Sequence, residues 1–154
     1  MSDATTPDDW RKTALRVVAA VTLLRLVLLA FNRTDLFVDE SQYWLWGQHF
    51  AFGYYSKPPL IGWVIGLSTW IGGDSNYFVR APFALFHGAT ALVLSALASR
   101  LYGPRIAMLV AATYVTLPMA AVGSLLASTD TIMGPFFAGA LYFWHRTAED
   151  RRAR

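Results

Sequence analysis

Cysteine is absent from this 154-residue chain, and charged residues make up only 15% of it. Without cysteine, neither a disulfide scaffold nor a thiolate metal site can form. A formal net charge of +3 is too small for the basic surface of a nucleic-acid-binding protein. His49 and His87 lack the spacing of metal ligands, so we interpret both as structural. The cofactor therefore remains unknown, and ligand spacing does not support a divalent metal.

Apolar residues dominate the chain instead. Hydrophobic side chains make up 55% of the residues and aromatic side chains 15%, six of them tryptophan. This composition exceeds that of an ordinary soluble domain, and tryptophan and tyrosine favour the interfaces of a membrane. The sequence therefore indicates a polytopic membrane protein.

The long apolar runs predict an all-α membrane bundle of about four transmembrane helices, because about 20 residues cross a hydrocarbon core. The predicted spans are 13–31, 81–101, 106–124 and 127–144. We expect the first span to remain uncleaved and Pro118 to kink the third. Arg25 lies well inside the first span, where it either faces a polar interior or extends to the far headgroups.

The loop 32–80 between the first two spans predicts two short interfacial helices. Asp39 and Gln42 resemble a capping box at the start of the first helix. Lys57 precedes two prolines, which break that helix and favour extended backbone. The second helix, Leu60 to Ile71, is too short to cross the membrane and ends at Gly72.

Basic residues predict the orientation of the bundle. If Leu60 to Ile71 does not span, Arg11, the Arg100–Arg105 turn and the arginine-rich end share one side, which is cytoplasmic by the positive-inside rule. The N-terminus is then cytoplasmic. The loop, with Asp39, Glu40, Lys57 and Asp130, is extracytoplasmic.

A series of short motifs is distributed across residues 35–142. They are Asp39-Glu40, Tyr43-Trp44, Gly53-Tyr54-Tyr55, Lys57-Pro58-Pro59, Gly73-Asp74, Val79-Arg80 and Asp130. In order and spacing they resemble the dolichyl-phosphate-mannose protein mannosyltransferase family of C-type membrane glycosyltransferases. The bacterial branch, which includes the lipid A aminoarabinose transferase, is the more similar one. This resemblance implies an integral protein of a bacterial inner membrane.

Three departures from the family pattern stand out. Animal and fungal members have His-Pro-Pro at Lys57-Pro58-Pro59, and the aminoarabinose transferase has a glutamate where this chain has Ser56. Family members are also considerably longer and have many more spans. The resemblance therefore identifies residues 1–154 as the N-terminal part of such a transferase domain, and the chain by itself is expected to be incomplete.

The resemblance implies inverting transfer of a sugar from a polyprenyl-phosphate carrier to a lipid, glycan or protein acceptor. An inverting displacement requires a base on the acceptor side. Asp39 is the candidate base, with Glu40 holding its environment. Lys57 is the candidate partner of the carrier phosphate. The alternatives are that Asp39 only caps a helix and that Lys57 only anchors the loop at the interface.

Four further residues are candidates for substrate binding. Asp130 is expected to pair with a positive group or to bind acceptor, and it could instead cap the fourth span. Arg80 is a second candidate for the phosphate, although arginines at span ends often serve topology. Tyr54 and Tyr55 complete the set.

A non-catalytic reading stays open beside the enzyme. A small four-span scaffold or assembly partner could have the same N-terminal part. The mass of the native protein distinguishes such a protein from the longer enzyme. A transporter is a weaker option, because its charges should lie near the midplane and only Arg25 clearly does.

Overall fold

The computed structural model describes residues 7–152, and all regular structure in that part of the chain is α-helical. Residues 1–6 and 153–154 lie outside the described residues. The seven helices are α1 (Pro7–Phe31), α2 (Val38–Gly47), α3 (Leu60–Gly72), α4 (Asn76–Tyr102), α5 (Pro104–Thr116), α6 (Pro118–Gly123) and α7 (Thr129–Arg152).

Two of these helices have the length and hydropathy of a membrane span. They are α1, apolar over Asp9–Phe31, and α4, over its full length Asn76–Tyr102. Both begin before the predicted start, and α4 begins where the Ser75 hydroxyl accepts a hydrogen bond from the Phe78 N–H. Pro82 consequently lies inside α4. Two spans are thus supported by the length and composition of these helices, and the count of four remains a prediction.

The predicted third span is two helices rather than one kinked helix. α5 ends at Thr116, Leu117 is extended with ψ of 133°, and α6 starts at Pro118. Proline has no N–H to donate to the preceding turn, and its ring disfavours the α conformation at the residue before it. The chain is therefore interrupted at Leu117, next to the kink predicted at Pro118, and a span over 106–124 remains a prediction.

Arg25 turns into the bundle. Its side chain is only 5% exposed, and its Nη2 group donates a hydrogen bond to the Val115 carbonyl. The break at Leu117 leaves that carbonyl without a helical partner, so the guanidinium satisfies it. The sequence left open whether Arg25 faces a polar interior or extends to the far headgroups. In the structure it faces a polar group inside the bundle.

Small residues bring the helices of the bundle close together. Gly88 of α4 faces Thr22 of α1, and Gly134 of α7 faces Thr90 of α4, with no room for a side chain at either glycine. Gly103, with φ of 87°, connects α4 to α5 in a tight turn, a conformation that glycine adopts readily. α4 thus forms the centre of the bundle, and α1, α5 and α7 pack around it.

α2 and α3 cross beside the bundle at a glycine contact. The backbone of Gly47 meets that of Gly66, and a Cβ atom on Gly66 would lie 2.4 Å from the Gly47 carbonyl oxygen. Tyr43, Ile65 and Phe83 join the two helices to α4 in one buried apolar cluster. The interfacial location of α2 and α3 stays a prediction.

The bundle separates its charged groups by end. α1 begins, α4 ends and α7 ends at one end, so Arg11, Arg100, Arg105 and Arg146 lie together there. Residues 32–80 and the start of α7 form the other end. All the candidate site residues belong to this second end, which we call the loop end.

We predict that the loop end is extracytoplasmic, and the absence of native cysteine makes this testable. Single cysteines at the exposed positions Ser56, Ser75 and Tyr102 would be treated in spheroplasts with a membrane-impermeant thiol reagent. Ser56→Cys and Ser75→Cys should react, whereas Tyr102→Cys should react only after permeabilisation. Protection of Ser75→Cys in intact spheroplasts would show that α3 crosses the membrane.

Candidate active site

Glu40 and Arg80 form a buried ion pair at the base of the loop end. Arg80 Nε donates to Glu40 Oε1 at 3.0 Å, and Arg80 Nη2 donates to Glu40 Oε2 at 2.6 Å. The two side chains are 2% and 1% exposed, respectively. Such a bidentate pair combines charge with fixed geometry.

The same pair joins α2 to α4 and to the connection that precedes α7. Glu40 also accepts the N–H groups of Ala127, at 2.8 Å, and Phe37, at 3.0 Å. Arg80 also donates to the carbonyl and the hydroxyl of Thr34 and to the carbonyl of Asp35. Burial alone would raise the pKa of Glu40, but these hydrogen bonds and the Arg80 charge outweigh it and lower the pKa.

This arrangement changes the interpretation of both residues. The sequence predicts Arg80 as a substrate contact, whereas in the structure its guanidinium is directed to protein groups. Glu40 points inward, away from the solvent that Asp39 faces. The helix begins one residue earlier than predicted, at Val38 with Phe37 as N-cap, so neither Asp39 nor a contact to Gln42 caps it.

Asp39 is exposed and lies in the first turn of α2, where the helix dipole favours a negative charge. Its neighbour Tyr43 is buried. Burial, and then the charges of Asp39 and Asp130, raise the pKa of the Tyr43 hydroxyl. The two exposed carboxylates, separated by 91 positions in the sequence, thus act on one buried hydroxyl.

A cleft of about 460 Å³ opens between the start of α3 and the start of α7. Lys57 and Asp130 lie at its charged margin. Its other walls are mostly apolar and consist of Pro58, Leu60, Ile61, Thr129, Ile132, Met133 and Phe136. Asp39 is outside this lining. The cleft can therefore hold a ligand with an apolar chain and a charged or polar head.

Lys57 is held at the cleft by a short turn. The Tyr54 N–H donates to the Lys57 carbonyl at 3.3 Å, and Pro58 and Pro59 restrict the backbone that follows. The Tyr54 ring stacks on Trp46 at 5.0 Å and lies against Gly62, where a Cβ would be 2.7 Å away. Its hydroxyl donates to the His49 carbonyl at 2.9 Å.

The two tyrosines predicted to bind substrate therefore differ. The Tyr54 side chain makes its contacts within the loop, so it affects the cleft only through the turn that positions Lys57. Tyr55 is 97% exposed and available to a ligand.

Two hydrogen bonds that organise the loop were not predicted from the sequence. The Trp44 indole donates to Asp74 Oδ1 at 3.0 Å, and the Trp63 indole donates to the Ala51 carbonyl at 2.9 Å. No local pattern announces these bonds, since their partners are distant in the chain. The glycines at 47, 62 and 66 lie where other groups approach the backbone closely, and they are the sequence signal from which close packing of α2 and α3 could have been inferred.

The side chain of His87 and the backbone of His49 make contacts within the protein. His87 is buried in the bundle, where Nδ1 lies 3.1 Å from the Tyr114 hydroxyl and Nε2 lies 3.2 Å from Thr131 Oγ1. His49 supplies its backbone carbonyl to the loop. Within residues 7–152 no group of three or more histidine, aspartate or glutamate side chains is arranged to hold a metal ion.

Comparison with known proteins gives two matches. The sequence profile of the family described as dolichyl-phosphate-mannose-protein mannosyltransferase matches residues 56–154. The lipid A galacturonosyltransferase RgtD of Rhizobium johnstonii (strain DSM 114642 / LMG 32736 / 3841) is 47% identical over 131 residues. That alignment covers 84% of this chain and 28% of RgtD, so the chain spans less than a third of that relative. No solved structure matches the chain.

Proposed function

Because the chain belongs to the dolichyl-phosphate-mannose-protein mannosyltransferase family, we propose that its gene product is a membrane glycosyltransferase. It moves a sugar from a polyprenyl-phosphate carrier to an acceptor at the extracytoplasmic face of a bacterial inner membrane. The similarity to a lipid A galacturonosyltransferase favours galacturonic acid as the sugar and lipid A as the acceptor. The observation that carries the proposal is the cleft bordered by Lys57 and Asp130.

The chemistry of the cleft matches that of the proposed donor. A polyprenyl phosphate has a long apolar chain that ends in a negative charge. The walls formed by Leu60, Ile61 and Phe136 suit the chain, and the Lys57 ammonium suits the phosphate. A positive charge here stabilises the leaving group as the sugar separates from it.

Asp39 is proposed as the general base. An acceptor hydroxyl oxygen attacks the anomeric carbon from the side opposite the phosphate, and the bond between that carbon and the phosphate oxygen breaks. The hydroxyl proton passes to the Asp39 carboxylate, and the sugar is transferred with inversion. Asp130 and Tyr55 bind sugar or acceptor hydroxyls near the same end of the molecule, and the Glu40–Arg80 pair holds α2 in place.

The test is transfer by the purified full-length gene product in lipid, with galacturonosyl polyprenyl phosphate as donor and lipid A as acceptor. Lys57→Met keeps the apolar length of the side chain and removes its charge. Because a charge-assisted hydrogen bond contributes about 1.5–3 kcal/mol, we expect transfer to fall about ten- to a hundred-fold. Lys57→Arg should keep part of the activity, since the charge survives in a different geometry.

The chain offers a matched control in Lys12, its only other lysine, which lies at the opposite end of the bundle. Lys12→Met should leave transfer unchanged. Equal activity in Lys57→Met and wild type would make Lys57 an interfacial anchor. Absence of transfer by the wild-type protein from this donor would refute the proposed donor and acceptor.

A further inference from the structure

A second cleft lies at the basic end of the bundle, far from the loop end along α4. α1 and α7 both pack on α4 but make little contact with each other, which leaves a groove between them. The cleft has a volume of about 320 Å³. It is lined by Trp10, Arg11, Ala14, Leu92, Ser95, Ala96, Ser99, Arg100 and Tyr142.

Small side chains keep the groove open. Ser95 donates to the Ala107 carbonyl at 2.8 Å, and Ser99 donates to the Ala96 carbonyl, so both hydroxyls are turned into helix backbone. Together with Ala14, Leu92 and Ala96 they form a wall of small and apolar side chains along the helices. This wall can accommodate the apolar portion of an occupant.

Two guanidinium groups lie at the mouth of the groove, each held by an aromatic ring. The Arg11 guanidinium lies 5.6 Å from the centre of the Trp10 ring, and that of Arg100 lies 5.4 Å from the centre of the Tyr142 ring. Arg100 Nε also donates to the Tyr142 hydroxyl at 3.2 Å. The two cations come from different helices, so a single anion between them would be held from both sides.

The charge at this mouth is only partly compensated. Arg100 Nη1 donates to Glu149 at 3.0 Å, which leaves its Nη2 group without a partner among the described residues. Among the side chains described from Asp9 to Arg151, no carboxylate forms an ion pair with Arg11. The nearby Lys12, Arg16 and Arg105 are exposed and add to the positive potential.

We propose that this groove is a binding site for an anionic phospholipid of the cytoplasmic leaflet, with its phosphate between Arg11 and Arg100 and an acyl chain along α4. The apolar wall and cationic mouth match the two parts of such a lipid. A soluble anion would use the mouth alone, and a neutral lipid would use the wall alone. Basic pockets between membrane helices on the cytoplasmic side are suited to anionic headgroups. The site does not depend on sugar transfer.

The experiment is native mass spectrometry of the full-length gene product after exchange into mixed micelles containing phosphatidylglycerol or phosphatidylcholine. The wild type should retain phosphatidylglycerol at least about tenfold more strongly than phosphatidylcholine, because two positive charges contribute. Arg11→Gln and Arg100→Gln should each reduce that retention about fivefold. Arg11→Lys, which preserves the charge, should retain most of it.

Arg105→Gln is the matched control, because Arg105 is an exposed arginine at the same end that does not line the groove. It should retain phosphatidylglycerol as the wild type does. Equal retention of the two lipids by the wild type would overturn the site. So would an equal loss in Arg105→Gln, which would indicate diffuse charge. Displacement of phosphatidylglycerol by inorganic phosphate would show a simple anion site instead.

Discussion

Replacing Asp39 by Asn in the full-length gene product is expected to lower sugar transfer by about 10²–10⁴-fold, the usual contribution of a general base. Asparagine has nearly the same shape but cannot accept the proton of the acceptor hydroxyl. Asp39 is exposed and is not the N-cap of α2, so the substitution removes no hydrogen bond of the helix cap. Initial rates of transfer from a defined polyprenyl-phosphate sugar measure the effect.

Asp74→Asn provides the control for Asp39→Asn. Asp74 is an exposed carboxylate in the same loop, and it accepts a hydrogen bond from Trp44 that an asparagine oxygen can also accept. Transfer by Asp74→Asn should stay near the wild-type rate. A wild-type rate in Asp39→Asn would leave Asp39 as a charge that only favours the helix dipole.

The second large effect concerns stability rather than chemistry. Glu40→Gln should lower the free energy of unfolding by about 3–5 kcal/mol, because removing one partner of a buried ion pair leaves the other charge uncompensated. Arg80 would then retain its bonds to Thr34 and Asp35 but lose its counter-charge. Unfolding in mixed detergent micelles, followed by circular dichroism, measures the change.

The exposed ion pair between Arg100 and Glu149 is the comparison for Glu40→Gln. It joins α4 to α7 at the basic end, where solvent screens it. Glu149→Gln should therefore leave unfolding nearly unchanged. If Glu40→Gln unfolds at the same detergent concentration as the wild type, the buried pair does not hold the loop to the bundle.

Acid should have the same effect as Glu40→Gln. The pKa of Glu40 is lower in the folded protein than in the unfolded chain. The stabilisation from the pair is therefore complete above the unfolded-state pKa. It is lost as the pH falls below that value and through the lower folded-state pKa. Stability measured over this acidic range should decline less steeply in Glu40→Gln than in the wild type.

The family resemblance and the all-helical nature of the chain follow from the sequence. Apolar runs of sufficient length are helices because a helix satisfies its backbone hydrogen bonds within the segment. Local signals also placed several ends correctly, including the turn at Gly103 and the end of α3 near Gly73. The roles of Asp39, Lys57 and Asp130 in transfer remain predictions.

Only the tertiary structure separated Glu40 from its neighbour Asp39. Adjacent carboxylates look equivalent in a sequence, but adjacent positions on a helix point about 100° apart. Here one faces Arg80 and the other faces solvent. The partner of Glu40 is 40 positions away, and no local pattern announces so distant a pairing.

Arg25 shows the same difference between what the sequence determines and what the tertiary structure determines. The sequence established a guanidinium inside an apolar run and a proline at 118, and both follow from residue identity alone. It could not show that the helix break would free the Val115 carbonyl 90 positions away from Arg25. Helix propensity and hydropathy act over a few turns of chain, so they determine where helices form. Which buried polar groups meet is decided by the packing of distant helices, because each group needs a partner wherever the fold brings one near.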